Sequence, residues 1–243
     1  MPNSYFRFKQ FTIQQDRCAM KVCTDSCMLG AWTALRLLNR DKIILDIGTG
    51  TGLLALMLAQ KSEATLDAIE SDPDACAQAA ENIMSSPWPR RIRVYSGDVR
   101  HYPFQAGYDF IITNPPFYES DLRSPEPKKN KARHDLSLTL EELIKVLRFK
   151  LRTDGRFSIL LPYHRVDYFE RLAGENDFFL LEKLTIKQTP KHDPFRSICL
   201  FGFQKPKKIV SNEWQIKDEG EKYTPEFIEL MRDYYLFENI VLR

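Results

Sequence analysis

The apolar run YDFII (108–112) ends in Thr113-Asn114-Pro115-Pro116-Phe117, residue types that suit chemistry on an amino nitrogen. An exocyclic amine conjugated to a ring is a poor nucleophile, because its lone pair is delocalised. Acceptors placed at its two N–H bonds favour a pyramidal nitrogen with a localised lone pair. Asn114 can supply one acceptor through its side-chain carbonyl, and Pro115 another through its backbone carbonyl. Proline fixes its own φ and holds the residue before it in extended geometry. Both acceptors are therefore set in advance, and groups placed in this way need no reorganisation in the transition state. Phe117 can stack on a flat base, extruded so that its amine is accessible. Asparagine is no base at neutral pH, and none is needed: the proton can leave to water once the amine has reacted. On its own, Asn-Pro also marks ordinary turns.

A second set of residues lies upstream. In LDIGTGTGLLAL, Gly48, Gly50 and Gly52 alternate between an apolar strand and a helix. Glycine permits a tight turn and close ligand approach, and the helix N-terminus beyond it favours negative charge. The Walker pattern is absent, and a dinucleotide fingerprint would need glycine where Leu53 stands. Glu70 closes the next strand, 22 residues after Gly48, where a carboxylate can accept both hydroxyls of an unphosphorylated ribose. Gly97-Asp98-Val99 ends the strand after that. A glycine turn with two strand-end acids suits a ligand with a ribose and a zwitterionic end, but no pyrophosphate.

The elements that must position these residues alternate. IILDI (43–47), TLDAIE (65–70), RIRVYS (91–96), YDFII (108–112) and RFSILL (156–161) read as buried strands, with helices between them. Asp72-Pro73 and the capping box Thr139-x-x-Glu142 mark two helix starts, and Thr224-Pro225 opens a third near the end. FFLLEKLTI (178–186) and SICLFGF (197–203) form an adjacent pair. The pattern predicts an α/β, Rossmann-like fold with a mostly parallel seven-stranded sheet closed by a C-terminal antiparallel hairpin. One domain is expected: a short N-terminal extension (1–42), a core (43–205), and a tail (206–243) whose helix docks through Phe227, Leu230, Met231 and Tyr234.

With 243 residues, 43% of them hydrophobic, the chain can bury a sizeable core, and no apolar run approaches a membrane span. A cytoplasmic location follows by default. The five cysteines form no C-x-x-C pair, so reduced thiols and no metal are expected.

Together, the glycine turn, the strand-end acids and Asn-Pro-Pro-Phe resemble the class I S-adenosylmethionine-dependent methyltransferases. Within them the chain is similar to the amino-methyltransferases that modify exocyclic nitrogens. The resemblance implies S-adenosylmethionine as cofactor, with Asp46 and the turn Gly48, Thr49, Gly50, Gly52 around its methionine end. It also implies Glu70 on the ribose, Asp98 and the Val99 backbone at the adenine, and Asn114 beside the reacting methyl.

FRFKQFTIQQDRCAMKVCTDSCMLGAW and the tail YTPEFIELMRDYYL further resemble the bacterial family that methylates adenine 37 of valine tRNA. That family reads K-V-G-T-D-G where this chain has Cys23 and Ser26 at the glycine positions. By this resemblance Lys21, Thr24 and Asp25 help close the cofactor site. Unaided, Lys21 reads as a surface lysine and Thr24-Asp25 as a helix cap.

The run RSPEPKKNKARH, directly after the motif, carries Arg123, Lys128, Lys129, Lys131, Arg133 and His134. It is expected to be a mobile loop gripping RNA phosphates beside the catalytic residues. The expected partner is therefore tRNA at its anticodon region, with no membrane, and a monomer. Amino groups of ribosomal RNA, DNA or protein glutamine are alternative targets of the same chemistry. A nucleic-acid-binding protein that keeps the fold without turnover is another. Only about 40 residues precede the glycine strand, too few for the helical domain of the glutamine enzymes.

Overall fold

The computed structural model describes residues 3–104, 107–115 and 138–237. An N-terminal hairpin of β1 (Tyr5–Arg7) and β2 (Thr12–Gln14) leads into helix α1 (Thr24–Ala34). Then follow β3 (Ile43–Ile47), α2 (Leu53–Lys61), β4 (Thr65–Glu70), α3 (Pro73–Met84), β5 (Ile92–Ser96) and β6 (Tyr108–Thr113). After the undescribed stretch come α4 (Leu140–Lys150), β7 (Leu151–Pro162), α5 (Val166–Gly174), β8 (Phe179–Lys187) and β9 (Arg196–Gly202). β10 (Val210–Gln215) and α6 (Pro225–Met231) complete the chain.

The central sheet runs β10-β8-β9-β7-β6-β3-β4-β5, with β9 antiparallel to both its neighbours and the rest of the sheet parallel. The Rossmann-like expectation holds. Among the described residues the sheet has eight strands rather than seven, because β10 adds to β8 in parallel register. Its sequence, VSNEWQ, carries no apolar alternation, and its first four residues are exposed. An edge strand held mainly by backbone hydrogen bonds leaves little hydrophobic pattern to read. The three-residue strands of the N-terminal hairpin are likewise shorter than that pattern can register.

Side chains alternate across the sheet and build a core on each face. Ile44, Phe110 and Ile112 pack beneath α1, α2 and α6. Leu45, Ile47 and Ile111 pack with Leu143 and Leu147 of α4 and Phe169 of α5. The helix starts follow their residue types. Asp72 accepts from the backbone N–H groups of Asp74 and Ala75, Thr139 and Glu142 form a reciprocal capping box, and Thr224 caps α6. α1 starts at Thr24 itself, with Cys23 in the N-cap position and no side-chain cap. Gly30 lets α1 press on α2, since a Cβ there would lie 2.6 Å from the Met57 sulfur.

Two consequences of this topology position the site. The chain runs outward from β3 to β4 and β5, then returns to β6 on β3's other side. The carboxyl end of β3 is therefore a switch point, where an open α/β sheet offers a crevice. The chain's two outer pieces also meet. The Lys9 N–H donates to the Tyr234 carbonyl (2.8 Å), and the Tyr234 hydroxyl donates to the Met57 carbonyl (3.0 Å). Among the described residues no helix is long and apolar enough to cross a membrane.

Phe227 of α6 is fully buried and stacks on Tyr223, with ring centroids 4.6 Å apart. Phe227→Ala should therefore cost about 3–5 kcal/mol. Urea unfolding should show this as a lower midpoint with an unchanged m-value. A loss under about 1 kcal/mol would mean that α6 is not docked as described.

Candidate active site

A cleft of about 290 Å³ opens at the carboxyl end of β3. Its floor is the turn after β3, and Gly48, Gly50 and Gly52 all have positive φ (70°, 55° and 83°). These conformations explain why glycine stands there. A Cβ at Gly48 or Gly50 would meet no protein atom within 4 Å, and both glycines line the cleft. The space a side chain would fill is thus left for a ligand. Gly52 differs, because its Cβ would approach Ala79 and Ile83 of α3.

Asp46 holds this turn from behind. It is fully buried and does not itself line the cleft. Its Oδ2 accepts from the Thr49 hydroxyl (2.6 Å) and the Ala55 N–H (3.2 Å). Its Oδ1 has no partner among the described residues. Burial pushes its carboxyl up to about 7, because the charged form is desolvated and faces only neutral donors.

Glu70 reaches into the cleft from the end of β4. One oxygen accepts from the Gly50 N–H (2.9 Å), the other from the Asp72 N–H (3.0 Å). Lone pairs remain for ligand hydroxyls. Asp98 and Val99 line the far end. Arg100 grips both Asp98 oxygens (2.8 and 2.6 Å to Oδ2, 3.0 Å to Oδ1) and also donates to Glu142 at the start of α4 (2.8 Å). The Arg100 guanidinium holds the Asp98 carboxyl below its usual range.

Asn114 and Pro115 stand on the other side of the switch point and complete the lining. The Asn114 amide nitrogen donates to the Ser26 hydroxyl (2.9 Å) and lies 3.8 Å from the Met20 sulfur. Its Oδ1 is buried and has no partner among the described residues. A buried unpaired carbonyl in an ordered site calls for a ligand donor.

Not all expected residues converge here. Lys21 lines the cleft, with its ammonium directed to the Asn3 carbonyl (3.3 Å). Thr24 and Asp25 do not line it; Asp25 pairs instead with Arg196 (3.1 Å). Pro116, Phe117, Arg123, Lys128, Lys129, Lys131, Arg133 and His134 lie outside the described residues. Among the described residues, no three His, Cys, Asp or Glu side chains gather as metal ligands would.

Other residues that build the site were not read from the sequence. Gln78 and Asn82, both buried on α3, clamp the N-terminal wall. Gln78 accepts from the Arg17 N–H (3.1 Å) and donates to Asp16 (2.6 Å). Asn82 exchanges hydrogen bonds with the Gln14 backbone (2.8 and 2.9 Å) and donates to the Thr51 carbonyl (2.9 Å). Their signal was available: two amides four residues apart, on the face that carries Ala75, Ala79 and Ile83. Ser26 and Met20 had no comparable signal, since both face Asn114 only after the chain folds.

Similarity to known proteins agrees with this geometry. The profile of the methyltransferase small domain matches residues 30–173. The chain is 42% identical to the tRNA1(Val) (adenine(37)-N6)-methyltransferase of Dyadobacter fermentans, over 96% of this chain and 98% of that one. It is 39% identical to the Parabacteroides distasonis protein of the same name, over 97% and 99%. A predicted O-methyltransferase from Agrobacterium tumefaciens shares the fold at 18% identity. Its TM-score is 0.65, over 85% of this chain and 95% of that one.

The raised acid gives a prediction with a definite sign. Unfolded, Asp46 ionises near its ordinary 3.8; folded, it holds its proton until about pH 7. Its contribution to stability is therefore full below pH 4 and is lost as pH rises toward 7. Asp46→Asn cannot ionise and keeps an acceptor for Thr49 and Ala55. Its melting temperature should therefore gain on the wild type, in ligand-free protein, between pH 5 and pH 8. A gap that does not change with pH would show that Asp46 is not held protonated.

Proposed function

Because the chain belongs to the methyltransferase small-domain family, and within it to the tRNA1(Val) (adenine(37)-N6)-methyltransferases, we propose that it methylates the N6 amine of adenine 37 in valine tRNA. The reaction is cytoplasmic and acts at the anticodon region. S-adenosylmethionine, when bound, supplies a methyl group activated by its sulfonium charge. The observation that carries this reading is the Asn114 carbonyl, buried at the switch point of the sheet and unpaired among the described residues.

The cleft residues divide the work of holding the cofactor. The Gly48–Gly52 turn, open where side chains would stand, takes the methionine end, and Asp46 fixes the turn through Thr49 and Ala55. Glu70 takes the ribose hydroxyls, and its negative charge favours a cationic ligand. Asp98 and Val99 take the adenine, with Arg100 holding Asp98 in place. Lys21, on the N-terminal wall, closes the cleft.

Asn114 and Pro115 act on the substrate. The Asn114 carbonyl accepts one N–H of the adenine amine and the Pro115 carbonyl the other. The amine nitrogen then presents a localised lone pair to the methyl carbon. The charge the nitrogen would gain as a methyl–sulfur bond gave way to a methyl–nitrogen bond would be stabilised by the same two carbonyls, with a proton then leaving to water. On sequence grounds we assign Pro116 to rigidity and Phe117 to stacking on the extruded base. Arg123, Lys128, Lys129, Lys131, Arg133 and His134 are assigned to RNA phosphates.

Wild-type protein incubated with labelled cofactor and valine tRNA should yield N6-methyladenosine at position 37; its absence would overturn the proposal. Asn114→Ala should lower turnover by the ~2.7–4 kcal/mol typical of a lost preorganised partner, which is about 100-fold or more. Its cofactor affinity, measured by calorimetry, should stay near that of the wild type. Replacing Lys128, Lys129 and Lys131 together with alanine should weaken tRNA binding and flatten its salt dependence by up to about three slope units. Salt-insensitive binding by the wild type would remove the phosphate role.

A further inference from the structure

An asparagine can accept from an amine only if its amide is turned the right way. Carbonyl and NH₂ have nearly the same shape, so sterics do not choose between them. Rotated by half a turn, Asn114 would meet the substrate amine donor to donor. Something in the protein must therefore set the amide's direction.

The surroundings of Asn114 contain such a device. Its nitrogen faces two atoms, the Ser26 hydroxyl (2.9 Å) and the Met20 sulfur (3.8 Å). A thioether can only accept, so it favours the NH₂ on that side. A hydroxyl is ambivalent, and what lies behind it decides its role. The Ser26 oxygen is 2.9 Å from the Cys23 sulfur. The Cys23 thiol is pushed up to about 11, by burial first and then by the neighbouring Asp25 carboxylate. It therefore stays protonated. Asp25 is itself fixed by Arg196 (3.1 Å) and by the Ser26 N–H (3.1 Å).

The hydrogen bonds thus run one way. The Asn114 amide donates to the Ser26 oxygen, which leaves the Ser26 hydroxyl hydrogen for the Cys23 sulfur. We propose that Ser26 is a positioning residue, which accepts from the Asn114 amide and thereby presents the Asn114 carbonyl to the substrate amine. Ser26 is buried (5% exposed) on the first turn of α1, so the direction is set before substrate arrives. The proposal rests on the reading of Asn114 as an amine acceptor.

The test uses the full-length protein with S-adenosylmethionine and a valine tRNA transcript. Ser26→Ala removes the acceptor and should lower kcat about tenfold, while KM for tRNA and the cofactor Kd stay within about twofold. Ser26→Thr keeps the hydroxyl and should recover most of the loss. A second readout needs no turnover. The Asn114 side-chain NH₂ resonance, identified by its disappearance in Asn114→Asp, should exchange slowly in the wild type and in Ser26→Thr. In Ser26→Ala it should exchange markedly faster. An unchanged kcat and exchange rate in Ser26→Ala would overturn the proposal. So would a kcat loss matched by equal loss of cofactor affinity, which would make Ser26 part of the cleft wall only. If the wild type does not methylate tRNA, the functional reading falls, and the exchange measurement still decides the role of Ser26.

Discussion

A buried carboxyl group with no counter-charge among the described residues lies beneath the cleft. Asp46 ends the central strand inside the protein, answered by one hydroxyl and one backbone N–H, and opposed by the like charge of Glu70. Those two bonds hold the glycine turn together with the Ile69 carbonyl, which accepts from the Gly48 and Thr49 N–H groups. The Thr49 bond fixes the turn's second residue, and the Ala55 bond fixes the first turn of α2. Glu70 then closes the loop by accepting from Gly50. Each glycine also donates its own N–H, Gly48 to the Ile69 carbonyl, Gly50 to Glu70 and Gly52 to the Thr49 carbonyl. The cost of burying Asp46 is a local instability that a well-packed sheet on both sides can carry.

Polar contacts with the same economy extend outward from there. Gln78 and Asn82 bind the N-terminal wall to the turn, and Arg100 binds Asp98 to the capping box of α4. Each wall of the cleft is thus tied to a different helix start or helix face. The amide of Asn114 is the exception in one respect. Its nitrogen is held by the N-terminal wall, while its oxygen is held by nothing among the described residues.

What the sequence disclosed follows from how local each signal was. The glycine turn, Glu70, Asp98 and Asn114 stand at the ends of apolar runs, and strand ends can be read from hydrophobic pattern alone. The caps at Asp72, Thr139 and Thr224 were legible for the same reason, being set by residues within one helical turn. Where function depends on residues distant in sequence, the pattern is silent. Ser26 meets Asn114 across 88 positions, and Asp25 meets Arg196 across 171. Cys23 and Ser26 stood out in the sequence only as departures at glycine positions; folding brings them into one hydrogen-bonded chain. β10 leaves little pattern to read because the first four residues of this edge strand are exposed and only its end is half-buried.

The meeting of the chain's two outer pieces has a consequence for how the protein matures. Phe8 and Phe6 pack on Tyr235, Lys9 bonds to the Tyr234 carbonyl, and α1 lies against both α2 and α6. The wall that carries Met20 and Ser26 is therefore bounded by residues more than 200 positions apart in the chain. On a nascent chain, strands β3 to β9 can assemble and form the turn, while residues 5–11 still lack their partners near 235. Closure of that seam is a long-range event, and such contacts form late because they close the largest loops. The glycine turn can thus form on a nascent chain before the seam beside the N-terminal wall is sealed.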